Sequence, residues 1–73
     1  MHAVNLYIDE NLNEKSFKEL ETELLMDSHV TNVAYHSKMP HDMLVEYDEA
    51  FVSPTAIVGH LESHGLHVDI TGG

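Results

Sequence analysis

Two kinds of hydrophobic spacing follow each other along this chain, and their order sets the strongest limit on its fold. Val4, Leu6 and Ile8 alternate with Asn5 and Tyr7, which is typical of a strand with one buried face. Similar patterns predict three further strands. Their inward residues are Val30, Val33 and Tyr35 in the second strand, Met43, Val45 and Tyr47 in the third, and Leu66, Val68 and Ile70 in the fourth.

Two segments with helical spacing lie between these strands. The first is predicted from about Asn13 to Met26, because capping candidates precede a run of apolar residues at helical positions. The second starts at Ser53 and Pro54, since serine caps free N–H groups and proline is tolerated at the first helical position. Gly65 is expected to end it. The inward residues are Phe17, Leu20, Leu24 and Leu25 in the first helix, and Ile57 and Leu61 in the second.

The element order is therefore strand, helix, strand, strand, helix, strand over a single domain, residues 1–73. Right-handed crossovers fold this order into a ferredoxin-like βαββαβ sandwich of the α+β class. We expect a four-stranded antiparallel sheet with both helices on one face. Residues 36–42, which include Pro40, are predicted to form the turn of the central hairpin.

The charge of the chain limits its partners. Thirteen Asp and Glu residues stand against three lysines, for a formal net charge of −10. Such a surface repels phosphate groups, so nucleic acid and anionic membranes are excluded as partners, and a basic protein surface or a cation is favoured. No apolar stretch approaches the roughly 20 residues of a membrane span, and a signal-peptide pattern is absent, so a cytoplasmic location is expected.

The sequence contains no cysteine. This absence excludes disulfides, thiolate nucleophiles and iron–sulfur ligation. The serines are interpreted as helix caps, turn residues or helix surface, with no base beside them that would activate a nucleophile. We therefore expect a binding module and no enzymatic activity.

The stretches HVTNVAYHS and MLVEYDEAFVSPTAIVGHLESHGLHV resemble the heavy-metal-associated domains of copper chaperones and metal-pumping ATPases. That family has a Gly-Val-x-x-Val strand, a Val-x-Tyr-Asp-Pro strand end, a Ser-capped helix with Ile at four-residue spacing, and Gly-Tyr or Gly-Phe before the last strand. The matching positions are His29-Val30, Val33, Val45, Tyr47-Asp48, Ser53, Ile57, Leu61 and Gly65-Leu66. The resemblance covers nearly the whole chain. It implies the same fold and a role in metal handling or trafficking.

The chain departs from the family where the family binds metal. The Met-x-Cys-x-x-Cys loop that holds Cu(I) or Zn(II) aligns with residues 11–16, and its two cysteine positions are Asn13 and Ser16 here. An amide and a hydroxyl do not suit a soft monovalent ion. The resemblance therefore implies that the thiolate Cu(I) site is lost. No cofactor is certain, and copper or another transition metal is expected to bind weakly if it binds.

Seven histidines suggest other ligands. His36, Met39 and His41 bring imidazole and thioether groups to the central hairpin, where copper is a suitable ion, although an ordinary polar turn is the simpler interpretation. His60 and His64 are four residues apart, a spacing that places both on one helix face. For this pair we favour partly buried histidines at the helix edge over a two-ligand metal site.

Acidic residues crowd the first helix, among them Glu19, Glu21 and Glu23. A solvated helix face is the common explanation for such a cluster. The resemblance adds a second one, a docking surface for a basic partner such as a metal-transport protein. The function predicted first is a small soluble binding module of metal handling without the thiolate Cu(I) site. The alternative is a ferredoxin-like regulatory or protein-interaction domain unrelated to metals.

Overall fold

The computed structural model describes residues 2–26, 29–36 and 39–72, and it leaves the side chains of His36, Met39 and Pro40 undescribed. Its elements confirm the predicted order. They are β1 (His2–Ile8), α1 (Glu14–Leu25), β2 (Val30–His36), β3 (Met39–Tyr47), α2 (Pro54–Glu62) and β4 (Val68–Gly72).

The four strands form one antiparallel sheet in the order β2-β3-β1-β4. The central strands β1 and β3 are paired with Val4 opposite Val45 and Leu6 opposite Met43. Directly opposed residues share a face of the sheet, so this register places the inward residues of both strands against the helices. The ferredoxin-like prediction is thereby confirmed.

The core lies between the sheet and the two helices. Leu6, Val45 and Leu61 have no exposed surface, and Met43 is 1% exposed. Nearly all residues predicted to point inward are buried, and Tyr35 and Leu66 pack partly buried against the core. The remaining members of the core are Val4, Ile8, Phe17, Leu20, Leu24, Val30, Val33, Tyr47, Ile57 and Val68.

The predicted helix starts are also confirmed, whereas α2 ends at Glu62, three residues before Gly65. Asn13 is the N-cap of α1, and Ser53 is the N-cap of α2 with Pro54 as the first helical residue. The Ser53 hydroxyl accepts a hydrogen bond from the backbone N–H of Ala56 at 3.2 Å. Beyond α2 the backbone turns at Gly65, whose φ of +83° favours glycine.

Two details of the predicted hairpin and first helix are wrong. Residues 39–42, predicted as part of a turn, belong to β3, because Met39 pairs with His36 of β2 and Asp42 pairs with Tyr7 of β1. Pro40 is tolerated there because it lies where the β2–β3 register shifts, between the pairs Tyr35–Met43 and His36–Met39. Leu25 is 40% exposed, since it is the last residue of α1 and lies off the buried stripe.

The fourth strand also differs from its prediction. It begins at Val68 rather than Leu66, and Ile70 is 51% exposed although its spacing predicts an inward position. Ile70 is paired with Leu6 and thus faces the helix side of the sheet. It remains exposed because β4 is an edge strand, which has a neighbour on one side only.

Candidate metal centre

The start of α1 carries Asn13 and Ser16, the two residues that the sequence resemblance predicts at the family's cysteine positions. Asn13 is exposed and Ser16 is half-buried, and the backbone N–H of Ser16 donates a 2.7 Å hydrogen bond to Oδ1 of Asn13. The amide oxygen therefore caps the helix. Neither this oxygen nor the Ser16 hydroxyl is a ligand for a soft ion, so these residues do not fit the Cu(I) that the fold family implies.

The central hairpin places His41 in β3, where its ring packs on Tyr7 with centroids 5.2 Å apart. Nδ1 of His41 lies 2.7 Å from the backbone carbonyl of Ile8, and a carbonyl can only accept a hydrogen bond. Nδ1 therefore carries the proton, and Nε2 is the ring nitrogen that can act as a ligand. The side chains of His36 and Met39 lie outside the described residues, so the three-ligand site at this hairpin stays a prediction.

His60 lies in α2 and His64 lies in the turn after the last helical residue, Glu62, and their ring centroids are 5.4 Å apart. Both are exposed, which corrects the interpretation of these histidines as partly buried. Nε2 of His64 lies 2.5 Å from a carboxylate oxygen of Glu23 on α1. One ligand atom from each of Glu23, His60 and His64 lies within 4.8 Å of the other two.

Glu23 lies between two grooves of the helix layer. One groove is also lined by Ser16, Glu19 and His64, and the other by Ile57 and His60. The carboxylate thus faces the two histidines from the neighbouring helix. The walls of each groove include core residues, which hold α1 and α2 in place.

Glu23 is a candidate ligand for which the sequence predicts a different role. The spacing of His60 and His64 predicts a shared face, whereas Glu23 belongs in the sequence to the acidic residues of the first helix, predicted as a partner surface. The contact between the two helices depends on how they pack on the sheet. No local pattern in the sequence predicts that packing.

A second histidine–carboxylate pair joins the segment after β1 to the segment before β4. Nδ1 of His67 lies 2.6 Å from Oε2 of Glu10, and Oε1 of Glu10 accepts a 2.7 Å hydrogen bond from the backbone N–H of His67. The side-chain hydrogen bond from His67 lowers the pKa of Glu10, and the same bond raises the pKa of His67. His2 pairs with Glu49 in a similar contact.

The acidic residues of α1 share that helix with lysines. Glu19 and Glu23 are exposed and Glu21 is half-buried. Lys15 and Lys18 lie beside Glu19 and Glu23 along one shallow depression of the helix surface. This face therefore carries mixed charge.

Within the described part of the chain, neither helix has the length and apolarity that a membrane crossing requires.

Comparison with solved structures relates the fold to copper-binding domains. A copper-binding domain from HMA7, a P-type ATPase, superposes with a TM-score of 0.85 at 15% identity, over 99% of this chain and 96% of the other. The yeast copper transporter domain Ccc2a, solved in the apo and Cu(I)-loaded states, gives 0.82 at 20% identity, over 96% and 94%.

A third structure, described as concerning crosstalk between Cu(I) and Zn(II) homeostasis, gives 0.80 at 14% identity, over 96% of this chain and 99% of the other. No protein-family model matches the sequence, and no curated protein matches it. The predicted resemblance is confirmed at the level of structure: the chain has the fold of copper-binding heavy-metal-associated domains.

Proposed function

We propose that this chain is a non-catalytic binding module of metal handling that takes a divalent transition-metal ion through imidazole and carboxylate groups. The observation that carries the proposal is the likeness, over nearly the whole chain, to a copper-binding domain of a P-type ATPase and to a yeast copper transporter domain. Fold alone does not fix an activity, so the ligand type is argued from the side chains.

The ligand chemistry favours divalent ions over Cu(I). The sequence has seven histidines and thirteen acidic residues but no cysteine, and Asn13 and Ser16 occupy the aligned thiolate positions. Imidazole suits zinc, copper and nickel, whereas soft thiolates select Cu(I). The loss of the thiolate pair is therefore proposed to come with a change of ion.

The proposed partner is a basic surface of a metal-transport protein. A formal net charge of −10 raises the encounter rate with a basic protein and disfavours an acidic one. The proposed contact is α1, where Glu19 and Glu23 are exposed and Glu21 is half-buried. The competing function, a regulatory or protein-interaction domain unrelated to metals, predicts no ion binding.

Titration of the full chain tests the proposal. The protein is titrated separately with Zn²⁺, Cu²⁺ and Ni²⁺, and with Cu(I) under reducing conditions, while amide and imidazole NMR signals are followed. We expect saturable binding of at least one divalent ion and no competition with a Cu(I) chelator. Absence of binding for every divalent ion would overturn metal handling in favour of the competing function.

A further inference from the structure

We infer that Glu23, His60 and His64 form an open site for a borderline divalent ion, Zn²⁺ or Cu²⁺, that bridges α1 and α2. This inference rests on the proposed function and deepens it by naming the ligands. The site lies apart from residues 11–16, the segment that aligns with the family's metal loop.

The distances are compatible with coordination by side-chain rotation alone. The three ligand atoms lie within 4.8 Å of one another, and the closest pair, Nε2 of His64 and a carboxylate oxygen of Glu23, is 2.5 Å apart. Zinc–nitrogen and zinc–oxygen bonds of about 2.0–2.2 Å place ligands of a tetrahedral ion roughly 3.3 Å apart. All three residues are exposed, so their side chains can rotate to that spacing while the helices stay fixed.

The local backbone also positions two of the three ligands. His60 lies in the last turn of α2 and His64 in the turn directly after it, and this backbone path brings the two ring centroids to 5.4 Å from each other. The end of α2 and the turn after it thus set the relative position of two ligands, and the packing of α1 brings the third. Leu20 and Leu24, on either side of Glu23 in sequence, are buried and hold this part of α1 against the core.

The ligand types select the ion. Two imidazoles and one carboxylate match zinc and divalent copper, whereas calcium and magnesium prefer oxygen ligands throughout. Three protein ligands leave a fourth position open, as in zinc sites that exchange a ligand. Because the site is exposed, a ligand of a second protein can occupy that position, which suits an ion that is passed on.

The experiment measures Zn²⁺ affinity of the full chain by calorimetry, for native protein and for His60→Gln, His64→Gln and Glu23→Gln. Replacing even an outer-shell partner of a metal ligand costs about 10–100-fold in affinity, so we expect each histidine variant to bind at least about 10-fold more weakly. His67→Gln is the matched control, because His67 is an exposed histidine that also has a carboxylate partner. This variant should keep native affinity.

NMR adds a readout that does not depend on affinity. Zn²⁺ should shift the imidazole signals of His60 and His64 before those of His2 and His67, and it should raise the melting temperature of native protein but not of the double variant His60→Gln, His64→Gln. Zinc binding that is equally strong in the double variant overturns this site and leaves the proposed function standing. If native protein binds neither Zn²⁺ nor Cu²⁺, the proposed site is wrong. If it binds no divalent ion at all, both the site and the proposed function are wrong.

Discussion

The backbone N–H of Ser16 donates a 2.7 Å hydrogen bond to the side chain of Asn13, where the loop after β1 enters α1. Asn13 is the N-cap and Ser16 is the third residue of the helix, so the two side chains occupy the first turn. Free N–H groups and the positive end of the helix dipole meet at this turn. A pair of thiolates placed there would be stabilised by the same helix end.

The double substitution Asn13→Cys, Ser16→Cys is predicted to create Cu(I) affinity that the native chain lacks. Two thiolates one turn apart suit a soft ion, and the helix N-terminus favours their ionised form. Removing the Asn13 cap should cost about 1 kcal/mol of folding stability, which a folded domain of this size can tolerate. The measurement is competition against a Cu(I) chelator.

The two single-cysteine variants are the controls, and each should bind far more weakly than the double variant. If the double variant is folded and binds no Cu(I), residues 13 and 16 are not equivalent to the family's cysteines. If the native chain competes equally well, a non-thiolate Cu(I) site exists, and the proposed preference for divalent ions is wrong.

Leu61→Ala is predicted to destabilise the domain by about 2–5 kcal/mol, because it leaves a cavity at a residue with no exposed surface. That loss is a large share of the total stability expected for 73 residues, roughly 4–11 kcal/mol. Ile70→Ala is the matched comparison. Ile70 is 51% exposed, so its truncation should cost under about 1 kcal/mol.

Urea unfolding at fixed temperature measures both effects through the shift in midpoint. Equal losses for the two variants would mean that Ile70 is as buried in solution as Leu61. The position of β4 at the sheet edge would then be in error.

Glu10→Gln is predicted to bring the pKa of His67 down toward its ordinary value. The carboxylate of Glu10 raises the pKa of His67 chiefly through the side-chain hydrogen bond, and an amide oxygen in its place can still accept the bond from the His67 backbone N–H. The substitution therefore removes the charge and retains the backbone contact. NMR titration of the His67 ring reads the pKa directly, with His2, which contacts Glu49, as internal reference.

The pKa shifts of His67 and Glu10 determine how the folding stability depends on pH. The raised pKa of His67 contributes stability that is complete below its unfolded value of 6.5 and is lost as pH rises through the folded value. The lowered pKa of Glu10 contributes stability present above 4.5 and lost as pH falls through the folded value. Native protein should therefore exceed Glu10→Gln in melting temperature most clearly between pH 4.5 and 6.5. A difference independent of pH would contradict the charge pairing.

A lysine decapeptide is predicted to bind α1 in preference to the other acidic surfaces. Amide signals of Glu19, Glu21 and Glu23 should shift more than that of Asp69 on β4, because several carboxylates of α1 can act together. The shifts should shrink as salt shortens the Debye length from about 10 Å at 0.1 M. Charge reversal at Glu19 and Glu21 should abolish the preference, and shifts spread evenly over all acidic residues would contradict it.

Local patterns in the amino-acid sequence are sufficient to locate the elements and most of their buried faces. Period-2 and helical spacing predict four strands and two helices, and Ser53, Pro54 and Gly65 mark where α2 begins and where the chain turns away. These features are local, because the spacing of side chains along a strand or helix follows from backbone geometry. The sequence alone also shows that Asn13 and Ser16 carry no thiolate.

Long-range packing sets which distant residues meet and which apolar residues remain exposed. Ile70 has the right period for burial but lies on an edge strand, and residues 39–42 continue a strand because Met39 pairs with β2 and Asp42 pairs with β1. Glu23 meets His64 because the fold brings α1 beside the turn that follows α2. Such contacts depend on strand order and helix packing, which arise from burying the whole core at once, and no window of the sequence contains that information.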